Sequence, residues 1–349
     1  VAFCNGKWLV AGALDPSLPG KEIVRVNGRE FPDFIREILD RCSAETLPFK
    51  AVRFSWRQDF WWYFSGLCDC LETLELDYRD PAGAEGRILL PPVNFEAFSG
   101  IKDTYLHGPV LGREGRGTSL VFHDEGRIAY LYYPSFRYTQ QEMDLLDGFF
   151  RKIRETGTRR LVLDLRGNGG GNSGMGDFIA SYLTRKPFRS FSRATARISR
   201  ELIETQPWYA RFQPLLGMNV TEQFPESTPE TPEAFFEGKT WLLVDNGTFS
   251  SAADFATIFR DYVGGTIVGY ETGGLPTCFG DVLGGNLRHS RIPLSVSCKH
   301  FVSPKNLPGD DEHGVLPDVP ATEERLRPYL GREDPVLEFA LDLVRASGG

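Results

Sequence analysis

Asp164-Leu165-Arg166-Gly167-Asn168-Gly169-Gly170-Gly171-Asn172 closes the apolar stretch Leu161-Val162-Leu163 and leads into a helix-forming segment from about Met175 to Leu183. A short apolar run that ends in glycines and gives way to a helical pattern reads as buried strand, loop and helix. Three consecutive glycines let backbone N–H groups come close to a bound carbonyl, in conformations that a side chain would block. A phosphate-cradling loop is the rival reading. The Gly-Lys-Ser/Thr of a P-loop and the spacing of a dinucleotide fingerprint are both absent, so an oxyanion site for acyl transfer fits better.

Working outward, Ile128 to Tyr133 reads as a buried strand and Gln140 to Thr156 as an amphipathic helix. On the other side, Trp241-Leu242-Leu243-Val244 runs into Asp245-Asn246-Gly247-Thr248-Phe249-Ser250-Ser251. Ala252 to Tyr262 then has helical composition, with Ala253, Ala256, Phe259 and Tyr262 at apolar spacing. Strands alternating with helices of this length predict an α/β layered domain whose loops at strand ends carry the chemistry. Ser250 falls at a strand-to-helix turn, where free N–H groups and the helix dipole favour an alkoxide or an oxyanion. A serine at a helix start is more commonly a cap. The glycine loop, leaving a second buried strand, tips the balance toward chemistry.

From Val1 to about Pro92 the pattern is short strands and one or two helices. Glu22 to Val26 reads as a strand, Asn27-Gly28 as a tight turn, and Phe31, Phe34, Ile35, Ile38 and Leu39 mark one apolar helix face. That order is similar to the second half of a PDZ-like module, which pairs a chain end with an exposed strand edge. The aromatic cluster Phe54, Trp56, Phe60, Trp61, Trp62, Tyr63 and Phe64 reads as core packing or a domain seam, with a peptide-gripping surface as the alternative. The Gly- and Pro-containing stretch from Asp80 to Pro92 marks a boundary between residues 1–92 and 93–349. Gln206 to Glu237 carries Pro207, Pro214, Pro225, Pro229 and Pro232 without a clear period, and reads as a surface excursion or lid over the site.

The chain has 349 residues, 41% hydrophobic and 13% aromatic, enough for two or three packed cores. With 39 basic against 47 acidic residues, nothing favours a phosphate backbone or an anionic membrane surface as partner. No apolar run approaches the roughly 20 residues of a membrane span. Cys4, Cys42, Cys68, Cys70, Cys278 and Cys298 show no metal-ligand spacing beyond the pair Cys68-Asp69-Cys70, which is too close for a zinc knuckle, and read as small buried hydrophobes; they leave disulfide state and compartment open. Val1 in place of Met makes a fragment or a processed form the expectation.

Asp164-Leu165-Arg166-Gly167-Asn168-Gly169-Gly170-Gly171 resembles the Asp-Leu-Arg-x-Asn-x-Gly-Gly signature of the tail-specific (C-terminal processing) and tricorn-core serine peptidases. Thr248-Phe249-Ser250, Asp261-Tyr262, Val268-Gly269-Tyr270-Glu271-Thr272-Gly273-Gly274 and Gly314-Val315-Leu316-Pro317-Asp318 resemble later segments of that family, in order, over about Arg127 to Asp318. The Thr-Phe-Ser and Glu-Thr-Gly-Gly segments are most similar to the tricorn and interphotoreceptor retinoid-binding-protein-like branch. The resemblance implies a crotonase- or ClpP-like α/β core beside a PDZ-like module. It implies that Ser250 attacks a peptide carbonyl, with the Ser251 N–H and an N–H from Gly169 or Gly170 holding the oxyanion. It implies no cofactor, an unfolded or short peptide as substrate, an extracytoplasmic setting and a homo-oligomer as one assembly.

The resemblance also frames the proton acceptor. No lysine lies between Lys239 and Lys299, so the Ser-Lys pattern is not met, and Lys299 sits where the family carries a structural basic residue. In the tricorn-like branch the base is a histidine ahead of the PDZ-like module, which here would lie upstream of Val1. Of His107, His123, His289, His300 and His313, the last is the one to watch, since Asp310-Asp311-Glu312-His313 leads into Gly314. Asp311 or Glu312 would be the orienting acid. The acid that the family places three residues after the nucleophile is Ala253 here, with Asp254 displaced by one. Two other readings remain: a binding module that keeps the fold without turnover, and an acyl-CoA enzyme of the crotonase type, which would need a carboxylate pair in place of Ser250.

Overall fold

The computed structural model describes residues 1–4, 7–55, 73–101, 117–330 and 332–347. Trp56, Phe60, Trp61, Trp62, Tyr63, Phe64, Cys68, Cys70 and His107 lie outside the described residues. The chain is mixed α/β, and the strands among the described residues form three sheets.

In the first sheet, β1 (Ala2–Cys4), β2 (Lys7–Leu9) and β3 (Glu22–Val26) are followed by the short β4 (Arg29–Glu30), which pairs back on β3. Asn27 and Gly28 make that return at φ of 49° and 74°, two left-handed residues as a tight hairpin turn requires. Helix α1 (Phe31–Leu39) buries Phe31, Phe34, Ile35, Ile38 and Leu39, the face its spacing predicts. Helix α2 (Leu47–Ser55) follows, then β5 (Leu74–Arg79) and β6 (Glu85–Leu90), giving the order β1-β2-β3-β5-β6. Phe54 is fully buried there, edge-on to Trp8 at 5.6 Å, so this member of the aromatic cluster is core.

The central sheet begins with β7 (Ser119–His123) and β8 (Ile128–Tyr132). Helix α3 (Gln140–Thr156) crosses to β9 (Arg160–Asp164), and α4 (Ser173–Ser181) follows the glycine loop. After β10 (Arg193–Arg197) and β11 (Asn219–Gln223) come β12 (Lys239–Val244), α5 (Ser251–Ile258) and β13 (Thr266–Gly269). The long hairpin β14 (Cys278–Asn286) and β15 (Pro293–Val302), then β16 (Val319–Pro320) and α6 (Pro335–Ala346), complete the described elements used below. The central order is β7-β8-β9-β12-β13-β16, parallel from β8 to β16, with β7 antiparallel at the edge.

Both faces of this sheet are covered, which is why its strands are nearly continuous apolar runs. Leu131, Leu163, Leu242 and Val244 face α3, α4 and α5, while Tyr130, Val162, Leu243 and Val268 face α6. The third sheet runs β11-β10-β15-β14. It draws one strand from the proline-rich stretch: Asn219–Gln223 pairs antiparallel with β10, and Pro207–Leu215 forms a 3-10 helix with Tyr209 buried. Part of Gln206 to Glu237 is therefore regular structure joined to this sheet.

Candidate active site

Asp164 on β9 stands opposite Leu243 on β12, and the Leu165 N–H donates to the Leu243 carbonyl at 2.9 Å. The glycine loop and the serine loop thus leave neighbouring parallel strands at the same end, the end where open α/β sheets gather their polar residues. The two loops are laced together. Asp245 Oδ1 accepts from the Gly167 and Gly247 N–H groups at 2.8 and 2.9 Å, Thr248 Oγ1 donates to the Leu165 carbonyl at 2.9 Å, and the Phe249 N–H donates to the Asn168 carbonyl at 2.9 Å. Asp245, Thr248 and Asn168 are buried, so each bond satisfies a group that would otherwise cost about 1–3 kcal/mol.

Ser250 is exposed and adopts φ 51°, ψ −131°, a backbone conformation unusual for a residue with a Cβ. Its side chain makes no cap bond to α5, whereas its carbonyl accepts from the Ala253 and Asp254 N–H groups at 2.8 and 2.9 Å. The strain is held by packing. A Cβ on Gly170, at φ +94°, would lie 2.7 Å from the Phe249 carbonyl oxygen and 2.8 Å from the Ser250 Cβ, and a Cβ on Gly274 would lie 3.0 Å from the Ser250 nitrogen. Ser251 Oγ donates to the Gly171 carbonyl at 3.1 Å. Gly169, Gly170, Ser250 and Ser251 therefore converge. The Gly170 N–H donates to Asn168 Oδ1 at 2.9 Å, while no acceptor among the described residues takes the N–H of exposed Gly169 or of Ser251.

No hydrogen bond among the described residues joins Asp311, Glu312 or His313 to this cluster. His313 Nδ1 meets the Gly314 carbonyl at 2.8 Å, and Asp311 and Glu312 are exposed. Their segment reaches the serine loop indirectly: the Gly314 N–H donates to Glu271 Oε1 and the Val315 N–H to Thr272 Oγ1, both at 2.8 Å, and Thr272 Oγ1 donates to the Gly274 carbonyl at 2.9 Å. Lys299 ion-pairs with Asp281 at 2.5 Å.

Three features stand out beside these loops. Buried Arg166 binds both Asp164 (2.7 Å) and Asp334 (2.9 Å), and Asp334 caps α6 by accepting from the Leu337 N–H. Asp254, one turn beyond Ser250, is buried with Oδ1 unpartnered, and burial pushes its carboxyl well above the usual range, with Asp177 and Asp281 adding to the shift. Finally, Phe49 of α2 stacks on Phe249 with ring centroids 3.8 Å apart, and Thr46, just ahead of α2, donates from Oγ1 to the Gly273 carbonyl at 3.1 Å, so this segment braces the serine loop and the loop after β13.

A doubly covered parallel sheet with two laced loops at the carboxyl ends of adjacent strands is the layout of an α/β enzyme. Residues 127–320, more than half of the chain, match the model of peptidase family S41, and the chain belongs to that family. The motifs of the glycine and serine loops both fall inside the matched span. No curated protein matches the chain. Among solved structures, a CPAF point mutant is similar at 15% identity over 95% of this chain and 79% of its own, with a TM-score of 0.55. Mature CPAF complexed with lactacystin is similar at 14% identity over 88% and 74%, with a TM-score of 0.52. A crystal structure from Parabacteroides merdae aligns at 20% identity and a TM-score of 0.45, over 66% of this chain and 65% of its own length. At these identities the likeness concerns the fold. No helix among the described residues is long and apolar enough to cross a membrane.

Proposed function

We propose that the chain is a serine peptidase that cleaves unfolded or short peptides through an acyl-enzyme, with Ser250 as nucleophile. The observation that carries this reading is Ser250 itself: an exposed hydroxyl on a strained turn, pressed against Gly170 and not used as a helix cap. Strain of this kind costs of order 1–3 kcal/mol and is kept where the surroundings impose it, as at reactive centres. The Ser251 N–H and the Gly169 N–H are the oxyanion donors, with Gly170 Cα supplying the close approach. Both donors are without acceptors among the described residues, as a preorganised hole requires.

The proton acceptor in this reading is a histidine brought to Ser250 by another segment or a second chain, with Asp311 or Glu312 as the orienting acid. His313 is the first residue within the chain to test for that role. Residues 1–92 act as a PDZ-like module that grips peptide and 93–349 as a crotonase- or ClpP-like core of the tricorn-like branch, with 206–237 over the site. The stacking of Phe49 on Phe249 supports a link between peptide grip and the serine turn. A catalytically impaired binding module is the second reading, favoured by His313 Nδ1 being engaged by the Gly314 carbonyl. Fluorophosphonate labelling with a Ser250→Ala control separates the two.

A further inference from the structure

A cavity of about 870 Å³ lies between α4, the Phe188–Phe191 segment, the proline-rich stretch and the β14–β15 hairpin. Its wall begins at Ser173, two residues beyond Gly171, whose carbonyl takes the Ser251 hydroxyl. The cavity therefore begins close to the end of the glycine loop, and two of its carboxylates, Asp177 and Asp281, act electrostatically on buried Asp254.

Its chemistry is aromatic and acidic. Phe178, Phe191 and Phe301 contribute aromatic side chains, and Asp177, Glu230, Glu233 and Asp281 contribute carboxylates. The cations on the wall are already engaged: Arg189 donates to the Pro304 carbonyl at 2.7 Å and the Phe224 carbonyl at 3.2 Å, and Lys299 is paired with Asp281. Glu233 pairs outward with Arg154 at 3.3 Å. Asp177, half-buried on α4, accepts from Ser190 Oγ at 2.6 Å and is ion-paired with no cation among the described residues. Asp254, whose buried Oδ1 has no partner among the described residues, feels the charge of Asp177. An uncompensated carboxylate among aromatic side chains is complementary to a guanidinium or ammonium group, through charge-assisted hydrogen bonds and cation–π contact.

We propose that this cavity receives a lysine or arginine side chain of the peptide substrate, with Asp177 as the specificity-determining carboxylate. The proposal rests on the peptidase reading for the word substrate, but its test does not require turnover. Two fluorescein-labelled hexapeptides, identical except for a central arginine or its neutral isostere citrulline, are titrated onto the Ser250→Ala chain and followed by anisotropy. The arginine peptide is expected to bind about tenfold tighter, and Asp177→Asn to erase that difference while leaving the citrulline peptide unchanged. Equal affinity of the two peptides, no binding of the arginine peptide, or a preference that survives in a folded Asp177→Asn chain would overturn the assignment. The comparison on Ser250→Ala decides alone if Asp177→Asn does not fold. Fluorophosphonate labelling of Ser250 without an arginine preference removes this inference only. An arginine preference without labelling removes the peptidase reading and leaves a site for basic peptides.

Discussion

Gly170 and Ser250 pack so closely that a Cβ on the glycine would sit 2.8 Å from the serine Cβ, nearer than side-chain carbons approach one another. One loop leaves β9 and the other β12, yet each holds the other in a conformation neither would adopt alone. Gly170 sits at φ +94°, open to glycine, and Ser250 at φ 51°, where a side chain is strained.

Gly170→Ala is therefore expected to disrupt the serine turn. The added methyl meets Phe249 and Ser251 backbone atoms as well as Ser250, and backbone cannot swing away as a flexible side chain would. A loss of about 1–3 kcal/mol in chemical denaturation is expected, with loss of fluorophosphonate labelling at Ser250. Wild-type labelling in the variant would show that the contact is incidental.

Arg166→Met should be more damaging to stability than any surface change. It leaves Asp164, fully buried, and Asp334 without their shared cation, and removing one partner of a buried pair costs about 3–5 kcal/mol. Urea denaturation measures this. Because Asp334 also caps α6, protection from hydrogen exchange should fall at α6 and at the glycine loop together; loss at only one of them would argue against a shared clamp.

Asp254 sets a pH dependence whose sign follows from its burial. Its folded-state pKa lies well above the ordinary 3.8, so folding holds the proton more tightly than the unfolded chain does. The contribution is fully favourable below pH 3.8 and is lost as pH rises toward the folded value. Asp254→Asn should raise the thermal midpoint at pH 7, with the gain shrinking as pH falls to 4. A gain of equal size at both pH values would show that the carboxyl is not the cause.

Phe49→Ala tests the brace from the first sheet. Phe49 is 6% exposed and stacked on Phe249, next to Ser250, so truncation is expected to cost about 3 kcal/mol and to slow Ser250 labelling. A stability loss with an unchanged labelling rate would confine Phe49 to packing.

Much of this arrangement is legible in the sequence because local chemistry and global fold agree. Helix α3 spans Gln140–Thr156 as its periodicity predicts, started by Thr139 accepting from the Glu142 N–H and stopped by Gly157 at φ 72°. The two loops are visible as glycines and small polar residues at the ends of apolar runs. The third sheet is not: Arg193–Arg197 and Asn219–Gln223 are short and largely polar, with only alternate positions turned inward, and they gain strand structure from their partners. The Arg166–Asp334 clamp joins residues 168 apart, and such a pairing has no local signature. The sequence likewise points to His313 by its neighbours, whereas the hydrogen bonds of the fold run through Glu271 and Thr272.

Fluorophosphonate labelling with peptide mapping bears most directly on Ser250 as nucleophile. The prediction is a single adduct on Ser250, absent from Ser250→Ala. An adduct on another residue, or none, would contradict the nucleophile assignment.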